Sequence, residues 1–294
     1  MKKRILSLLL LLLAGGGLYA QEEAGRAAGD TAVALAVPDM PAAVAVPDTV
    51  TLPLTATDTT ILYRINGTYL RSIWDDAKYT VARPFHWERK NFVQAGALVG
   101  LTGVLLASDY EIKQVFIHNQ TNFWTSVTDQ IEPFGNAYAP YIVAGMYVAG
   151  VITKDRKLES GGLMAAKSLL ISTAIYTVIK SVVRRGRPTY YDSPFNFNAP
   201  FSGDKQHTSF PSGHSNTVMT VATAIAELYG KDHPWVPWVA YGIAGLTGVT
   251  RLYENRHWSS DVLIGMSLGH FVTKSVFRHH RELERKKAMQ LLLR

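Results

Sequence analysis

Six apolar stretches, Phe92–Ser108, Ala137–Thr153, Gly162–Val183, Ser215–Leu228, Val236–Val249 and Asp261–Phe277, set the terms for anything this chain can fold into. Each is rich in Ala, Gly, Val and Leu, and polar or basic loops separate them. Nothing alternates with a period of two for long enough to argue a sheet. The pattern predicts an all-α fold, a bundle of about six helices. Charged residues make up 18% of the 294-residue chain, below the quarter or so of an average soluble protein. Such a balance points to a membrane or to a very helical core.

Whether the helices cross a bilayer is a separate question, because a span needs about 20 apolar residues and several of these runs fall short. The N-terminus has the layout of a secretory signal peptide over residues 1–20. Lys2, Lys3 and Arg4 precede an apolar run from Ile5 to Leu13, and Ala20 offers a cleavage point before Gln21. An uncleaved anchor is the plainer alternative. With no cysteine in the chain, lipoprotein processing, disulfides, thiol nucleophiles and thiolate metal sites are excluded together. Residues 21–60, rich in Ala, Val, Pro, Thr and Asp, read as a disordered linker. Residues 61–91 carry Trp74, Tyr79, Phe85 and Trp87 among charges and read as an interfacial or packing helical segment. The bundle domain is assigned to 92–280 and a basic tail to 281–294.

Basic residues cluster at Lys154, Arg156 and Lys157 and again from Arg278 to Arg294, and the positive-inside rule places both clusters in the cytoplasm. Six crossings then put the segment before Phe92 in the cytoplasm too, whereas a cleaved signal peptide leaves it outside. One premise fails: cleavage, the crossing of one of the first two runs, or membrane insertion itself. The favoured expectation is an inner-membrane bundle with its site facing the periplasm; a soluble periplasmic domain is the alternative. The net charge of +7 is concentrated locally, as in a site for an anionic group, and no zinc-knuckle, helix-turn-helix or RNA-stacking pattern accompanies it. No nucleic-acid partner is expected.

Three segments carry chemistry. In the first, Lys180 ends an apolar run and Arg187 follows seven positions later, two helical turns along, before Pro188 stops the helix. Two such cations can clamp phosphate oxygens, although a membrane-flanking basic cluster has the same look. Arg184, Arg185 and Arg256 either widen that anion site or meet lipid headgroups. The second segment, Ser209-Phe-Pro-Ser212-Gly213-His214-Ser215, opens a helix whose free N–H groups and dipole favour an anion. Gly213 permits close approach, and His214 stands beside it as an acid or base. In the third, His257 and Asp261 are four apart, so on a helix they share a face. The carboxylate can then accept the Nδ1 proton and leave Nε2 bare as a nucleophile, with Arg251 as a third cation. Each segment alone has an ordinary explanation; together they describe one oxyanion site with two histidines. Glu254 and His207 have no evident role.

The spacing resembles the type 2 phosphatidic acid phosphatase superfamily of lipid phosphate phosphatases, bacterial acid phosphatases and vanadium haloperoxidases. Lys180, Arg187 and Pro188 fill its first motif, Pro211 to His214 its second, and Arg251, His257 and Asp261 its third, with Thr250 where the family usually has Ser. The resemblance implies a phosphatase without metal or other cofactor. His257 attacks phosphorus, Asp261 orients it, and His214 protonates the leaving oxygen and then activates water. Lys180, Arg187, Arg251, Ser212 and Gly213 hold the phosphoryl oxygens. Expected partners are a lipid phosphate substrate, such as phosphatidic acid, phosphatidylglycerol phosphate, undecaprenyl diphosphate or lipid A, and membrane lipids. Four other readings compete: a soluble periplasmic non-specific acid phosphatase, a zinc site built from His207, His214, His257 and Asp261, a vanadium-dependent haloperoxidase, and a non-catalytic membrane lipid-binding protein.

Overall fold

Every one of the six apolar stretches falls in a helix, to within a residue at its ends, in the computed structural model, which describes residues 62–293. The expected leader and linker lie outside these residues. The helices are α1 (Gly67–Ala82), α2 (Arg89–His118), α3 (Asn122–Ile131), α4 (Tyr138–Thr153), α5 (Arg156–Val183), α6 (Gly213–Tyr229), α7 (Val236–Tyr253) and α8 (Ser259–Leu292). Short 3-10 turns, Arg83–His86 and Glu132–Gly135, follow α1 and α3. The only β pairing among the described residues is an isolated bridge between Arg185 and Phe197. The fold is all-α, as the absence of period-two patterning predicts. Helices α1 and α3 add to the six because they are short amphipathic pieces rather than apolar runs. The segment assigned to a separate basic tail continues α8 without a break.

Local chemistry sets the helix ends. Asn66, Thr121 and Asp155 cap α1, α3 and α5 by accepting from backbone N–H groups in the first turn. Lys154 and Arg184, both left-handed, end α4 and α5. The connection from α4 to α5 is therefore a tight hairpin, whereas α5 to α6 runs through a long loop.

Helix α6 is central and packs on α5, α7 and α8. Its seam with α8 is built from small and hydroxyl side chains rather than large apolar ones. A Cβ on Gly265 would lie 2.4 Å from the Ser212 carbonyl oxygen, and one on Gly269 would lie 2.4 Å from that of Asn216. Asn216, Thr220, Thr223 and Thr273 are fully buried there, and Ser172 of α5 donates to the Asn216 side chain at 2.7 Å. Close backbone approach with interhelical hydrogen bonds is how helices associate when apolar burial gives no net drive, as in lipid.

Helices α2 and α5 are long and apolar enough to cross a membrane, while the apolar α4 has only 16 residues. In the apolar window of α2 only 6% of residues are buried against protein. Phe92, Val93, Val99, Leu101 and Val104 all face outward.

Successive helices reverse direction, so α5 and α7 end where α6 and α8 begin. Both expected basic regions, around Lys154 and beyond Arg278, lie at the opposite end. Helix α1 docks near that basic end: Asp76 pairs with Lys167 at 2.5 Å and with His279 Nδ1 at 2.6 Å, all three largely buried. Tyr79 also donates to Glu282 at 2.9 Å.

Candidate active site

The three sequence segments converge on a short rail, Thr208–Ser212, at the end of the α5–α6 loop. Lys180, in the last turn of α5, donates from Nζ to the Thr208 carbonyl at 2.6 Å. Arg187 donates from Nε to the Thr208 hydroxyl at 3.0 Å. The two cations meet because both reach Thr208, not because they share a helix face. Helix α5 stops at Val183 and Arg187 belongs to the loop. The Ser212 N–H donates to the Asp261 carbonyl at 3.0 Å, which fixes the start of α6 against the start of α8.

His257 sits in the loop between α7 and α8, buried, with Nδ1 2.7 Å from the Ser209 carbonyl oxygen. A carbonyl oxygen only accepts, so Nδ1 carries the proton. Among the described residues Nε2 has no protein partner. Burial first, then the positive charges of Lys180 and Arg187, hold its pKa well below the usual histidine value. The imidazole is neutral at neutral pH with Nε2 bare, which is what a nitrogen nucleophile requires.

The direct His257–Asp261 bond expected from their spacing is replaced by an indirect one. Helix α8 begins at Ser259, so His257 precedes the helix and the four-residue relation does not put the two on one face. Asp261, fully buried, accepts instead from the Ser209 hydroxyl, from the Trp258 N–H at 3.1 Å and from Arg185 Nη1 at 2.6 Å. It holds the residue whose carbonyl is His257's acceptor and the residue after His257 itself.

Arg185 neither widens the anion site nor faces headgroups. Only 2% exposed, it spans Asp261 and Asp109 of α2, the latter at 2.8 Å through Nη2. Asp109 also accepts from Ser259 Oγ at 2.6 Å and from the Ser260 N–H at 3.1 Å. Arg184 is likewise committed, to Ser202 Oγ at 3.0 Å and to the Asp204 carbonyl. Arg256 is exposed and lines an open polar cavity of about 260 Å³ with Gln120, Asp129 and Glu254.

Helix α6 opens on backbone donors of the kind that bind anions. Ser212 is its N-cap, and its first-turn N–H groups, those of Gly213 and His214 among them, have no intrahelical acceptors. His214 places Nε2 2.7 Å from Glu132 Oε1. Arg251, near the end of α7 and 3% exposed, donates to Glu132 at 3.2 Å and to Glu254 at 2.7 Å. The charges of Arg251 and Arg187 act on His214, and those of Lys180 and Arg187 act on His257. All eight expected site residues therefore lie around one region at one end of the bundle.

His207 is not among them. Its Nδ1 and Nε2 meet Asp204 at 2.5 Å and Asn196 at 2.7 Å, so it staples the α5–α6 loop. Among the described residues no group of three or more His, Asp or Glu side chains is arranged to hold a metal ion. Sequence reasoning missed Glu132, Asp109 and the Ser209 carbonyl, and left Glu254 without a role although it is a partner of Arg251. A lone acid closing an apolar run, as Asp109 does, was the one available signal.

Comparison with known proteins agrees with the motifs. The profile of the PAP2 superfamily matches residues 161–285. The lipid A 1-phosphatase of Porphyromonas gingivalis is 39% identical over 77 residues, 24% of this chain and 17% of that protein. The lipid A 1-phosphatase of Rhizobium johnstonii is 34% identical over 103 residues, 35% of this chain and 41% of that protein. The chain thus spans less than half the length of either relative. The crystal structure of a transmembrane PAP2-type phosphatidylglycerolphosphate phosphatase from Bacillus subtilis superposes with a TM-score of 0.50 at 24% identity. That match covers 63% of this chain and 95% of the other and establishes a shared helical fold. With Lys180, Arg187, His214, Arg251, His257 and Asp261 all in the motif positions and gathered at one end of that fold, residues 161–285 of the chain resemble the PAP2 superfamily, the type 2 phosphatidic acid phosphatases.

Proposed function

We propose that this protein is a metal-independent phosphatase that hydrolyses a phosphate monoester or diphosphate of a lipid through a phosphohistidine intermediate. One observation carries the reading: a buried, neutral His257 whose Nδ1 proton is committed to the Ser209 carbonyl and whose Nε2 is bare beside Lys180 and Arg187. In the first step Nε2 forms the bond to phosphorus, and the bond to the leaving oxygen breaks as His214 protonates that oxygen. In the second, water attacks phosphorus, gives its proton to His214 and returns the electron pair to His257. Lys180, Arg187, Arg251, Ser212 and the Gly213 N–H stabilise the equatorial oxygens, fixed cations serving where other phosphatases use metal ions. Asp261 keeps the rail and the His257 loop in register.

The lipid part of the proposal rests on the outward apolar face of α2, which needs about 30 Å of hydrocarbon around it. The relatives named lipid A 1-phosphatases also act on a phosphorylated lipid. The basic ends lie opposite the site, so the positive-inside rule turns the site toward the periplasm.

The test is phosphate release from purified protein in detergent, with excess EDTA, against a panel of lipid and soluble phosphates. Wild type is expected to turn over a lipid phosphate, and His257→Ala to lose that turnover by far more than tenfold. Activity within tenfold of wild type in His257→Ala, or activity abolished by EDTA, defeats the proposal.

A further inference from the structure

Glu132 belongs to none of the three motifs and lies outside the segment matched by the family profile, yet it touches the site in two places. Its Oε1 accepts from His214 Nε2 at 2.7 Å and from Arg251 Nη1 at 3.2 Å. The 3-10 turn that carries it is wedged in place. Pro133 sits in its first turn, and Phe134 packs on Val218, Ala222 and Ala244 of α6 and α7. A Cβ on Gly135 would lie 2.9 Å from both His214 Cβ and Thr247 Cγ2. No residue with a side chain fits there without displacing His214 or α7. The turn is built to seat against that histidine.

We propose that Glu132 is the positioning carboxylate of His214: by accepting from Nε2–H it fixes the ring and its tautomer, leaving Nδ1 as the nitrogen that serves the leaving oxygen and then the water. This rests on the phosphatase reading above. Among the described residues Nδ1 of His214 has no protein partner. The two site histidines are thus held in opposite tautomers, His257 with Nδ1–H and a bare Nε2, His214 with Nε2–H and a free Nδ1.

The difference in acceptor follows from the difference in task. The nucleophile must enter the reaction neutral, and a carbonyl fixes its tautomer without favouring the imidazolium. The acid–base residue alternates between charged and neutral, and a carboxylate stabilises its charged form. It needs that help. Arg251 from α7, Arg187 from the α5–α6 loop and, across the site, His257 surround His214, and Glu254 offsets only the far side of Arg251. The balance closes: Nδ1–H of the imidazolium passes to the leaving oxygen as the P–O bond breaks, leaving neutral imidazole bonded to Glu132. The attacking water then returns a proton to Nδ1.

Glu132→Gln tests it on two substrates, an alkyl phosphate, whose leaving oxygen must be protonated, and p-nitrophenyl phosphate, whose leaving group departs unprotonated. The expected result is a kcat/KM loss of roughly 10- to 100-fold on the alkyl phosphate, short of the 10²–10⁴ attached to a whole acid–base residue, and under about threefold on the nitrophenyl ester, because kcat/KM reports the leaving-group step and not the water step that both substrates share. The alkaline limb of the kcat/KM profile on the alkyl phosphate should also move to lower pH, because the imidazolium has lost its counter-charge. Equal losses on both substrates, an unmoved limb, or a faster enzyme, which would mark Glu132 as a competitor for Arg251, overturn the proposal. Should Glu132→Gln fail to fold, Glu132→Asp keeps the charge and should keep the wild-type alkaline limb at a reduced kcat/KM; a shifted limb in that variant overturns it equally. Absence of phosphate release from wild type defeats the phosphatase reading itself, whereas wild-type turnover with indifferent Glu132 variants defeats only this inference.

Discussion

Arg185 and Asp261 form an ion pair at 2.6 Å with both side chains almost wholly buried, and the pair is extended by Asp109 on the other arm of the guanidinium. Asp109 comes from α2, so a helix whose apolar window is only 6% buried is joined to the site through one arginine. Removing one partner of a buried pair leaves an uncompensated charge, at a cost of about 3–5 kcal/mol. Arg185→Ala exposes two carboxylates to that cost at once. Its melting temperature in detergent should fall well below that of wild type, with phosphate release lost in parallel. Arg185→Lys should not rescue either property, since an ammonium is a single point charge and cannot fork between Asp261 and Asp109. A lysine variant with wild-type stability would show the fork to be dispensable.

The buried state of His257 makes stability depend on pH in a stated direction. Its folded pKa lies below the unfolded value of about 6.5. Below pH 6.5 the unfolded chain takes up a proton that the folded chain refuses, so stability present above that pH is lost as the pH falls toward the folded value. The slope for one such group is about 1.4 kcal/mol per pH unit. His257→Asn keeps a donor for the Ser209 carbonyl and removes the titration. Melting curves between pH 8 and pH 5 should converge at the acid end, wild type losing more than the variant. Parallel curves would mean that His257 is already charged or is not buried.

How much of this was legible beforehand depended on where each residue sits in the chain. Lys180, Arg187, His214, Arg251, His257 and Asp261 were legible because they lie in three short ordered segments, each beside the end of an apolar run, and alternating helices bring those ends together. The pairings within the site were less legible. Seven-residue and four-residue spacings suggested shared helix faces for Lys180 with Arg187 and for His257 with Asp261. The helices stop at Val183 and start at Ser259, so backbone carbonyls and hydroxyls of Thr208 and Ser209 mediate both relations. Glu132, and Asp109 but for its place at the end of an apolar run, escape the sequence for a different reason. Each is a single carboxylate far from the motifs, placed by tertiary packing that no local period records.

The α6–α8 seam makes a further prediction at a residue with no chemistry of its own. Gly265 faces the Ser212 carbonyl, and a Cβ there would stand 2.4 Å from it. The obstacle is backbone, so α6 or α8 must move. Ser212 is the α6 N-cap and its N–H is bonded to Asp261, so the movement falls on the proposed anion-binding donors. Gly265→Ala should cost about 1–3 kcal/mol in stability, as overpacking does, and should raise KM more than tenfold. Gly242, whose Cβ would meet nothing within 4 Å, is the control: Gly242→Ala should leave KM unchanged and, inside a helix, raise stability by about 0.5–1 kcal/mol. Equal behaviour of the two variants would remove the seam from the account of the site.

The same end-to-end polarity yields a prediction about topology. Helix α2 has 30 residues, about 45 Å at 1.5 Å per residue, enough to cross a bilayer once. If α4 to α8 cross with it, the bundle makes six passes, and α1 then lies beside the basic end of α8 through Asp76–His279 and Tyr79–Glu282. The segment before α2 and the segment after Arg278 thus share one side, and the loop carrying Arg187 faces the other. Because the chain has no cysteine, single substitutions report cleanly. Ser193→Cys, exposed in the α5–α6 loop, should react with a membrane-impermeant maleimide applied to the periplasmic side, and Lys287→Cys only after the inner membrane is broken. Six passes and a leader cleaved after Ala20 are mutually exclusive, since cleavage would leave residue 21 outside while α1 remains inside. N-terminal sequencing of the mature protein should accordingly find residues before Gln21. A mature chain starting at Gln21, with Ser193→Cys and Lys287→Cys labelled alike from the periplasm, would instead make the bundle a soluble periplasmic domain and its apolar α2 face a surface for something other than lipid.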